Sequence, residues 1–303
     1  MGRITIMPVG GISAMFEPYI VDDPFKSGAR GAGIGVKRAA KITIEVSKSD
    51  KFTFENIING VHVPKGIGRQ SVEEFFSFTK LSKHYDIKIT QEIYIPIGSG
   101  FGSSAASATA IIYGLSRLLN RNMTLLQIAR LAHIAEVKAK TGLGTVAGIL
   151  CPGGIIIVET PGPPGVAKID KILLDEEYVI VAASRGKIET AMALQDPNLI
   201  NRAIKYGKEA VDRLIDDPSI QNFFKTANWF AREVGLSNDL IEKTIRIAVE
   251  SGAVGAAQAM IGDAVFAIVE REKASDVQKS MSKVLGVEAK IYEVANSPLE
   301  ILK

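Results

Sequence analysis

The chain has 303 residues, 47% of them hydrophobic and 23% charged, which is the composition of an ordinary globular protein long enough for two domains. Its 36 basic and 33 acidic side chains leave a net charge of +3 and are spread along the whole length, which argues against nucleic acid as the main partner. One cysteine and three histidines are too few for a disulfide framework or a Cys/His zinc site.

The first half of the chain is predicted to begin with a strand-rich part that one helix interrupts, and to continue with two further helices. β-branched residues between Gly, Pro and Asp predict strands at 3–9, 39–47, 51–56 and 86–98. One helix is predicted among them at 69–84, where apolar residues recur at helical spacing. Two more helices are predicted at 103–120 and 124–140, the second with Thr124 as its N-cap.

The second half is predicted to form a separate α+β domain with antiparallel strands. A short apolar strand at 153–158 and a turn-rich segment at 160–165 place the boundary between domains 1–165 and 166–303. Beyond it, strands are predicted at 178–184, 264–270 and 288–295. Helices are predicted at 198–216, 219–234, 238–251 and 274–285.

The most informative segment is a glycine and serine loop between a strand and a helix, at residues 96–104, which we name the Gly-Ser loop. Gly98, Gly100 and Gly102 let the backbone approach a ligand closely, and the first helical turn offers unpaired N–H groups to an anion. Ser103 and Ser104 add hydroxyls that can bind a phosphate oxygen or Mg²⁺. The loop is therefore predicted to hold a nucleoside triphosphate.

Two familiar phosphate-binding motifs do not fit this loop. A Walker A loop ends in Gly-Lys-Ser/Thr, but there is no lysine between Lys88 and Lys138. A Rossmann fingerprint needs Gly or Ala where Ser103 stands and an acid about twenty residues later, where only Asn120 and Asn122 occur. The remaining alternative is that small residues merely let a strand and a helix pack closely.

Residues 96–106 read P-I-G-S-G-F-G-S-S-A-A and match in full the signature P-x-G-x-G-x-x-S-S-A-A of the GHMP kinases, which include galactokinase, homoserine kinase and mevalonate kinase. The chain is identified as a member of that superfamily. The resemblance implies an α+β fold, with an N-terminal domain like ribosomal protein S5 domain 2 and a ferredoxin-like C-terminal domain. Segments 27–36, 135–148, 153–165 and 256–268 further resemble the archaeal pantoate kinases.

This resemblance implies ATP-dependent, Mg²⁺-assisted phosphorylation of pantoate to 4-phosphopantoate in archaeal coenzyme A biosynthesis. It also implies a homodimer whose partners are ATP and a small hydroxy acid. Mevalonate, homoserine and shikimate stay open as other acceptors of the superfamily. An N-terminus without the apolar core of a signal peptide, and with Ile6 where a myristoylation motif needs Ser or Thr, predicts a cytoplasmic protein without a membrane partner.

The resemblance also assigns residues to the nucleotide and the metal. Ser104 and Glu136 are implied as the Mg²⁺ ligands and as parts of the catalytic site. A solvated glutamate on a helix face is the alternative interpretation of Glu136. The residues implied to bind ATP are Pro96, Gly98, Ser99, Gly100, Gly102, Ser103 and Ser104.

Basic residues are candidates for binding the substrate carboxylate or a phosphate. Arg30, interpreted as part of a glycine-rich turn before a strand, suits a carboxylate because a guanidinium binds it in bidentate fashion. Its alternative is a surface arginine that caps the turn. Lys138 and Lys140 flank the end of one predicted helix, and either of them could meet a phosphate or remain solvated.

One position departs from the family pattern. Pantoate kinases read T-G-L-G-D-V where this chain has Thr145 in place of the aspartate. A threonine hydroxyl cannot act as a general base at neutral pH. Three explanations stay open: transfer without a base, a substitute carboxylate such as Glu17 or Asp263, or a relative that binds nucleotide without catalysis.

Overall fold

The strands of the fold form three sheets. The computed structural model describes residues 2–82, 84–186, 196–260 and 262–302. The strands in these ranges are β1 (Arg3–Pro8), β2 (Gly10–Tyr19), β3 (Gly28–Val36), β4 (Ala40–Lys48), β5 (Thr53–Ile58), β6 (Val61–His62), β7 (Tyr85–Ile93), β8 (Ile155–Val158), β9 (Ile169–Ile172), β10 (Tyr178–Ser184), β11 (Gly255–Gln258), β12 (Ala264–Glu270), β13 (Lys290–Glu293) and β14 (Leu299–Leu302).

Amphipathic segments form helices whose ends are fixed by capping residues. The predicted N-cap Thr124 is confirmed, since its hydroxyl accepts from the N–H of Gln127 at 3.2 Å and the Gln127 side chain bonds back. Gly235 ends a later helix in the left-handed conformation. The helices are α1 (Ile67–Thr79), α2 (Ser103–Leu118), α3 (Leu125–Ala139), α4 (Thr145–Ile149), α5 (Pro197–Asp216), α6 (Ile220–Val234), α7 (Asp239–Glu250) and α8 (Ala274–Leu285).

The first sheet has six strands in the order β14-β1-β4-β7-β5-β6, and we call it the six-stranded sheet. Its neighbours are antiparallel except β5 and β7, which run parallel. Ile42, Ile44 and Val46 alternate along β4 and are buried, as the period of a strand requires. They form a core with apolar side chains of α1, α2 and α3. This core supports the start of α2.

The second sheet, β2-β3-β8-β9, lies in the middle of the fold and was not predicted in full from the sequence. Glycines in β3 allow its backbone to approach β2 closely: a Cβ atom on Gly31 would lie 2.5 Å from the Met15 carbonyl oxygen. The prediction that Arg30 lies in a turn is therefore wrong, because Arg30 belongs to β3. We call this sheet the middle sheet.

The third sheet, β11-β12-β10-β13, is antiparallel throughout, as predicted, and we call it the C-terminal sheet. One face packs on α7 and α8. The other face shares a core with the middle sheet, α5 and α6. Because this core joins residues from both sides of position 165, the division into domains 1–165 and 166–303 stays a prediction. The α+β fold class is confirmed.

Helix α5 sits unusually close to the middle sheet. A Cβ atom on Gly207 would lie 2.0 Å from the Phe16 carbonyl oxygen of β2, so only glycine fits at this contact. The C-terminal half therefore packs directly against the strand that adjoins the Gly-Ser loop. No helix within the described ranges is long and apolar enough to cross a membrane.

Candidate active site

The Gly-Ser loop connects β7 to α2 through three glycines in the left-handed region. Gly98, Gly100 and Gly102 have φ values of 72°, 77° and 66°. Other residues would be strained there, which explains the glycine spacing. Gly102 is the N-cap of α2 and supplies no side-chain cap, so the N–H groups of the first helical turn are left for a ligand.

Strand β2 fixes the carbonyl side of this loop. The N–H of Gly11 donates to the Phe101 carbonyl oxygen, and the N–H of Ser13 donates to the Gly100 carbonyl oxygen, both at 3.1 Å. Because these carbonyls point to β2, the loop is held with its amide side free for an anion. Gly11 and Ser13 were not identified from the sequence, although the pair Gly10-Gly11 marks a close backbone approach.

A cavity of about 450 Å³ opens at the Gly-Ser loop. Its apolar lining includes Ile58, Ile67 and Ile93. The Gly-Ser loop, with Ile97, and residues 141–145 form another part of the lining. The middle sheet supplies further apolar side chains, namely Met15, Phe16, Ala29, Ile156 and Val158. The cavity therefore combines an anion site with a largely apolar lining.

Glu136 lies behind the loop and is bonded to Ser104. The Ser104 hydroxyl donates to Glu136 Oε1 at 2.5 Å. The Glu136 side chain is buried, with 1% exposure, so the interpretation as a solvated helix-face residue is wrong. Burial raises the pKa of this carboxyl to about 7, against the opposing effect of the Ser104 hydrogen bond.

The Ser104 and Glu136 pair offers the kind of oxygen ligands that a magnesium ion takes, although Glu136 itself is not among the described residues that line the cavity. Mg²⁺ is usually held by one or two carboxylates together with substrate phosphates and water. Among the described residues no three His, Cys, Asp or Glu side chains form a metal-binding group. A buried carboxylate whose pKa is raised by burial gains a favourable partner when a cation binds beside it. Oxygen ligands of this kind suit Mg²⁺ rather than a soft metal.

Gly142 leaves room for the Glu136 carboxylate. A Cβ atom on Gly142 would lie 2.6 Å from Glu136 Oε1 and 2.9 Å from Oε2. The backbone after α3 is also hydrogen-bonded to Glu136, since the N–H of Thr141 donates to the Glu136 carbonyl oxygen at 3.0 Å. The segment that follows α3 thus fixes the position of the carboxylate, a role that the sequence pattern did not indicate.

The serines of the loop point in different directions. Ser103 and Ser104 line the cavity. The Ser99 side chain is 2% exposed, and its hydroxyl donates to the Gly186 carbonyl oxygen at 3.1 Å and accepts from the Ser184 hydroxyl at 2.9 Å. Neither Pro96 nor Ser99 is among the described residues that line the cavity. Their contact with phosphate stays a prediction.

Arg30 is the only charged residue among the described residues that line the cavity. Its guanidinium donates from Nη1 to Glu17 at 2.9 Å, from Nη2 to Asp212 at 2.5 Å and from Nε to the Glu159 carbonyl oxygen at 2.7 Å. Burial lowers its pKa, but the hydrogen bonds and charges of Asp212 and Glu17 outweigh burial and raise it. Two of its five N–H donors remain for a further anion.

The other basic candidates lie elsewhere. The Lys138 ammonium forms an ion pair with the Glu74 carboxylate of α1 at 2.8 Å, so its charge already has a partner. Lys140 is exposed and ends α3 in the left-handed conformation. Neither lysine is among the described residues that line the cavity. A phosphate contact by either one therefore finds no support in the geometry.

Thr145 is the first residue of α4 and lines the cavity. Its methyl carbon fills the space beside the Gly-Ser loop, 2.7 Å from where a Cβ atom on Gly102 would lie and 3.2 Å from one on Gly11. The proposed substitute bases do not line this cavity within the described residues. Glu17 is engaged by Arg30, and Asp263 accepts from the Asn238 side chain at 3.0 Å.

A glycine-rich helix N-terminus, a buried Ser/Glu pair and an adjoining acceptor cavity are the parts of a small-molecule kinase site. Two family models match the chain: the GHMP kinases N terminal domain at residues 69–153 and the GHMP kinases C terminal at residues 208–286. The chain belongs to the GHMP kinase family, and the superfamily resemblance is confirmed.

Two pantoate kinases and one solved phosphotransferase are similar to this chain along most of its length. A pantoate kinase of Methanocaldococcus jannaschii is 30% identical over 268 residues, which are 88% of this chain and 93% of that protein. A pantoate kinase of Thermococcus kodakarensis is 28% identical over 275 residues, 89% of each chain. A solved phosphotransferase related to the coenzyme A biosynthesis pathway superposes with a TM-score of 0.84 and 26% identity, covering 100% of this chain and 99% of that one.

Proposed function

We propose that the chain is an ATP-dependent pantoate kinase that forms 4-phosphopantoate for coenzyme A synthesis. The observation that carries the proposal is the similarity to pantoate kinases along about nine tenths of the chain, 88% and 89% for two of them. That similarity spans most of the chain, whose cavity is lined by both the Gly-Ser loop and the middle sheet.

The Gly-Ser loop is the proposed binding site for the phosphates of ATP. The amides of its glycines and of the first turn of α2 favour the phosphate charge. Ser104 and Glu136 would hold Mg²⁺, which supplies neutralisation of the charge that develops on the phosphates. Ile58, Ile67 and Ile93, which line the cavity, offer apolar side chains to the flat base of the nucleotide.

Arg30 and the middle sheet are the proposed site for the acceptor. Pantoate has a carboxylate, two hydroxyls and a carbon that bears two methyl groups. The two unused N–H donors of Arg30 suit the carboxylate. Apolar side chains such as Ile156 and Val158 suit the methyl groups.

Transfer is proposed to proceed without a carboxylate base. The acceptor oxygen attacks the γ-phosphorus, the bond to the β-phosphate oxygen breaks, and the hydroxyl proton passes to the phosphoryl oxygens or to water. This route suits a cavity whose described lining contains no Asp or Glu. Thr145 contributes by packing its methyl against the loop. Phosphoryl transfer through a loose transition state depends chiefly on positioning and charge stabilisation.

The test is a panel of acceptors with saturating MgATP. Pantoate, mevalonate, homoserine and shikimate are each incubated with the purified protein, ADP release is followed by a coupled assay, and the product is identified by ³¹P NMR. We expect turnover with pantoate alone. Turnover of another acceptor without pantoate would contradict the substrate, and ADP binding without any transfer would favour an inactive relative. Light scattering on the same sample tests the expected homodimer.

A further inference from the structure

Ser99 is buried and is not among the described residues that line the cavity. It is 2% exposed, and its hydroxyl accepts from Ser184, the last residue of β10, and donates to the carbonyl oxygen of Gly186, two residues beyond that strand. The partner Ser184 is the last residue of that strand and also lies within 3.3 Å of the Gly186 carbonyl oxygen. Buried hydroxyls are normally bonded in this way, because an unpaired one is costly.

This contact closes a circuit of hydrogen bonds around the Gly-Ser loop. Directly after β10, the N–H of Arg185 donates to the Asp263 carbonyl oxygen at 2.8 Å. From the turn before β12, the N–H of Met260 donates to the Ser13 carbonyl oxygen at 2.9 Å. The N–H of Ser13 then donates to Gly100 of the loop at 3.1 Å. The loop is thus attached to β2 on one side and to the C-terminal sheet on the other.

The loop needs such attachments because its glycines restrain it little. Three residues in five, at 98, 100 and 102, are glycines with positive φ, and glycine accepts a wide range of backbone conformations. A loop of that composition presents its amides to phosphate in one arrangement only if neighbouring elements hold it. The bonds from β2 hold Gly100 and Phe101. The hydrogen bond between Ser184 and Ser99 holds Ser99, the residue between Gly98 and Gly100.

We propose that Ser184 is a positioning residue for the phosphate site, and that it acts through the Ser99 hydroxyl. The pair preorganises the Gly-Ser loop from the C-terminal sheet without touching the nucleotide. Losing the Ser184 hydroxyl should weaken phosphate binding about tenfold, the factor that corresponds to one net hydrogen bond. The inference rests on the proposed function only in that the loop binds the phosphates of ATP.

The test is calorimetric titration of the full chain with ADP in the presence of MgCl₂. We expect Ser184→Ala and Ser99→Ala each to weaken ADP binding about tenfold, and the double variant to be no weaker than either one, because the two hydroxyls act as a pair. Ser184→Thr keeps the hydroxyl in a strand position that tolerates threonine, and should bind ADP as the unmodified chain does.

A matched control is Ser282→Ala in α8. Ser282 also both donates, to the Gln278 carbonyl oxygen at 2.6 Å, and accepts, from the N–H of Ala289 at 2.9 Å. The Ser282→Ala variant should lower the melting temperature as Ser184→Ala does, but it should leave the affinity for ADP unchanged. With enzymatic turnover, Ser184→Ala should raise the KM for ATP but leave the KM for the acceptor within about twofold, a split that general destabilisation does not produce.

Three results would overturn the inference. Equal ADP affinity for Ser184→Ala and the unmodified chain would show that the contact does not position the loop. Weakened binding in Ser99→Ala alone would show that the Ser99 hydroxyl serves the site without Ser184, either through its bond to the Gly186 carbonyl oxygen or by touching the phosphate. Additive losses in the double variant would show two independent roles. Failure of the unmodified chain to bind ADP is a separate outcome, which would contradict the proposed function.

Discussion

Gly142→Ala tests how closely the position of one carboxylate controls catalysis. The new Cβ atom would lie 2.6 Å from Glu136 Oε1, whereas non-bonded atoms settle at about 3.5 Å, so the carboxylate must move by about 0.9 Å. Gly142 lies outside the left-handed region, so alanine meets no backbone strain there. A displacement of about 1 Å from productive geometry can cost about 100-fold in rate. We therefore expect kcat to fall about 100-fold.

The assay is ADP release at saturating MgATP and pantoate, with unfolding in urea measured on the same samples. The free energy of unfolding should stay within about 1 kcal/mol, since Gly→Ala also restricts the unfolded chain. Gly2→Ala is the matched control, because its Cβ atom would meet only Leu118, at 3.9 Å, and Gly2 is not among the described residues that line the cavity. A folded Gly142→Ala variant with kcat within threefold of the unmodified chain would refute the reasoning, as would an equal loss in Gly2→Ala.

Three further predictions concern other residues. Thr145→Asp should change kcat less than about tenfold, because positioning dominates the transfer. A general base usually contributes about 100-fold or more, so a gain of that size in kcat would show that a base was missing. Arg30→Met should lower the free energy of unfolding, measured in urea, by about 2 kcal/mol, because the Glu17 carboxylate loses its partner. The double variant with Glu17→Gln should recover part of the lost stability. Burial lowers the pKa of His133 from the usual 6.5, so below about pH 6.5 the unfolded chain binds a proton at this residue more readily than the native chain does. The free energy of unfolding should therefore decrease as pH falls below about 6.5. His133→Gln should reduce that pH dependence, measured by urea unfolding between pH 7 and 5.

Periodic segments could be predicted well from the sequence because local forces specify them. The helix predicted at 219–234 is observed as Ile220–Val234, with Ser219 as a bonded N-cap. The strand predicted at 178–184 is observed with the same bounds. The helix predicted at 69–84 already ends at Thr79, where Lys80 adopts the left-handed conformation. Amphipathic period and capping side chains act within a few residues, so they can be read locally.

The middle sheet could not be predicted in the same way. Strand β3 carries glycine at four of nine positions and lacks the alternation of a half-exposed strand, because it is covered on both faces. This is why Arg30 was assigned to a turn. The burial of Glu136 depends on Ser104, 32 residues away, and the Ser99 contact depends on Ser184, 85 residues away. Neither contact has a local sequence signal.

The pairing of β14 with β1 has a consequence for synthesis on the ribosome. Every other strand of the six-stranded sheet lies within the first 93 residues, but β1 receives its outer neighbour only when Leu299–Leu302 have been made. Until then the nascent chain presents an open strand edge, a known template for association with other chains. A stop codon just before residue 299 would remove β14, and it should give a protein that aggregates during expression.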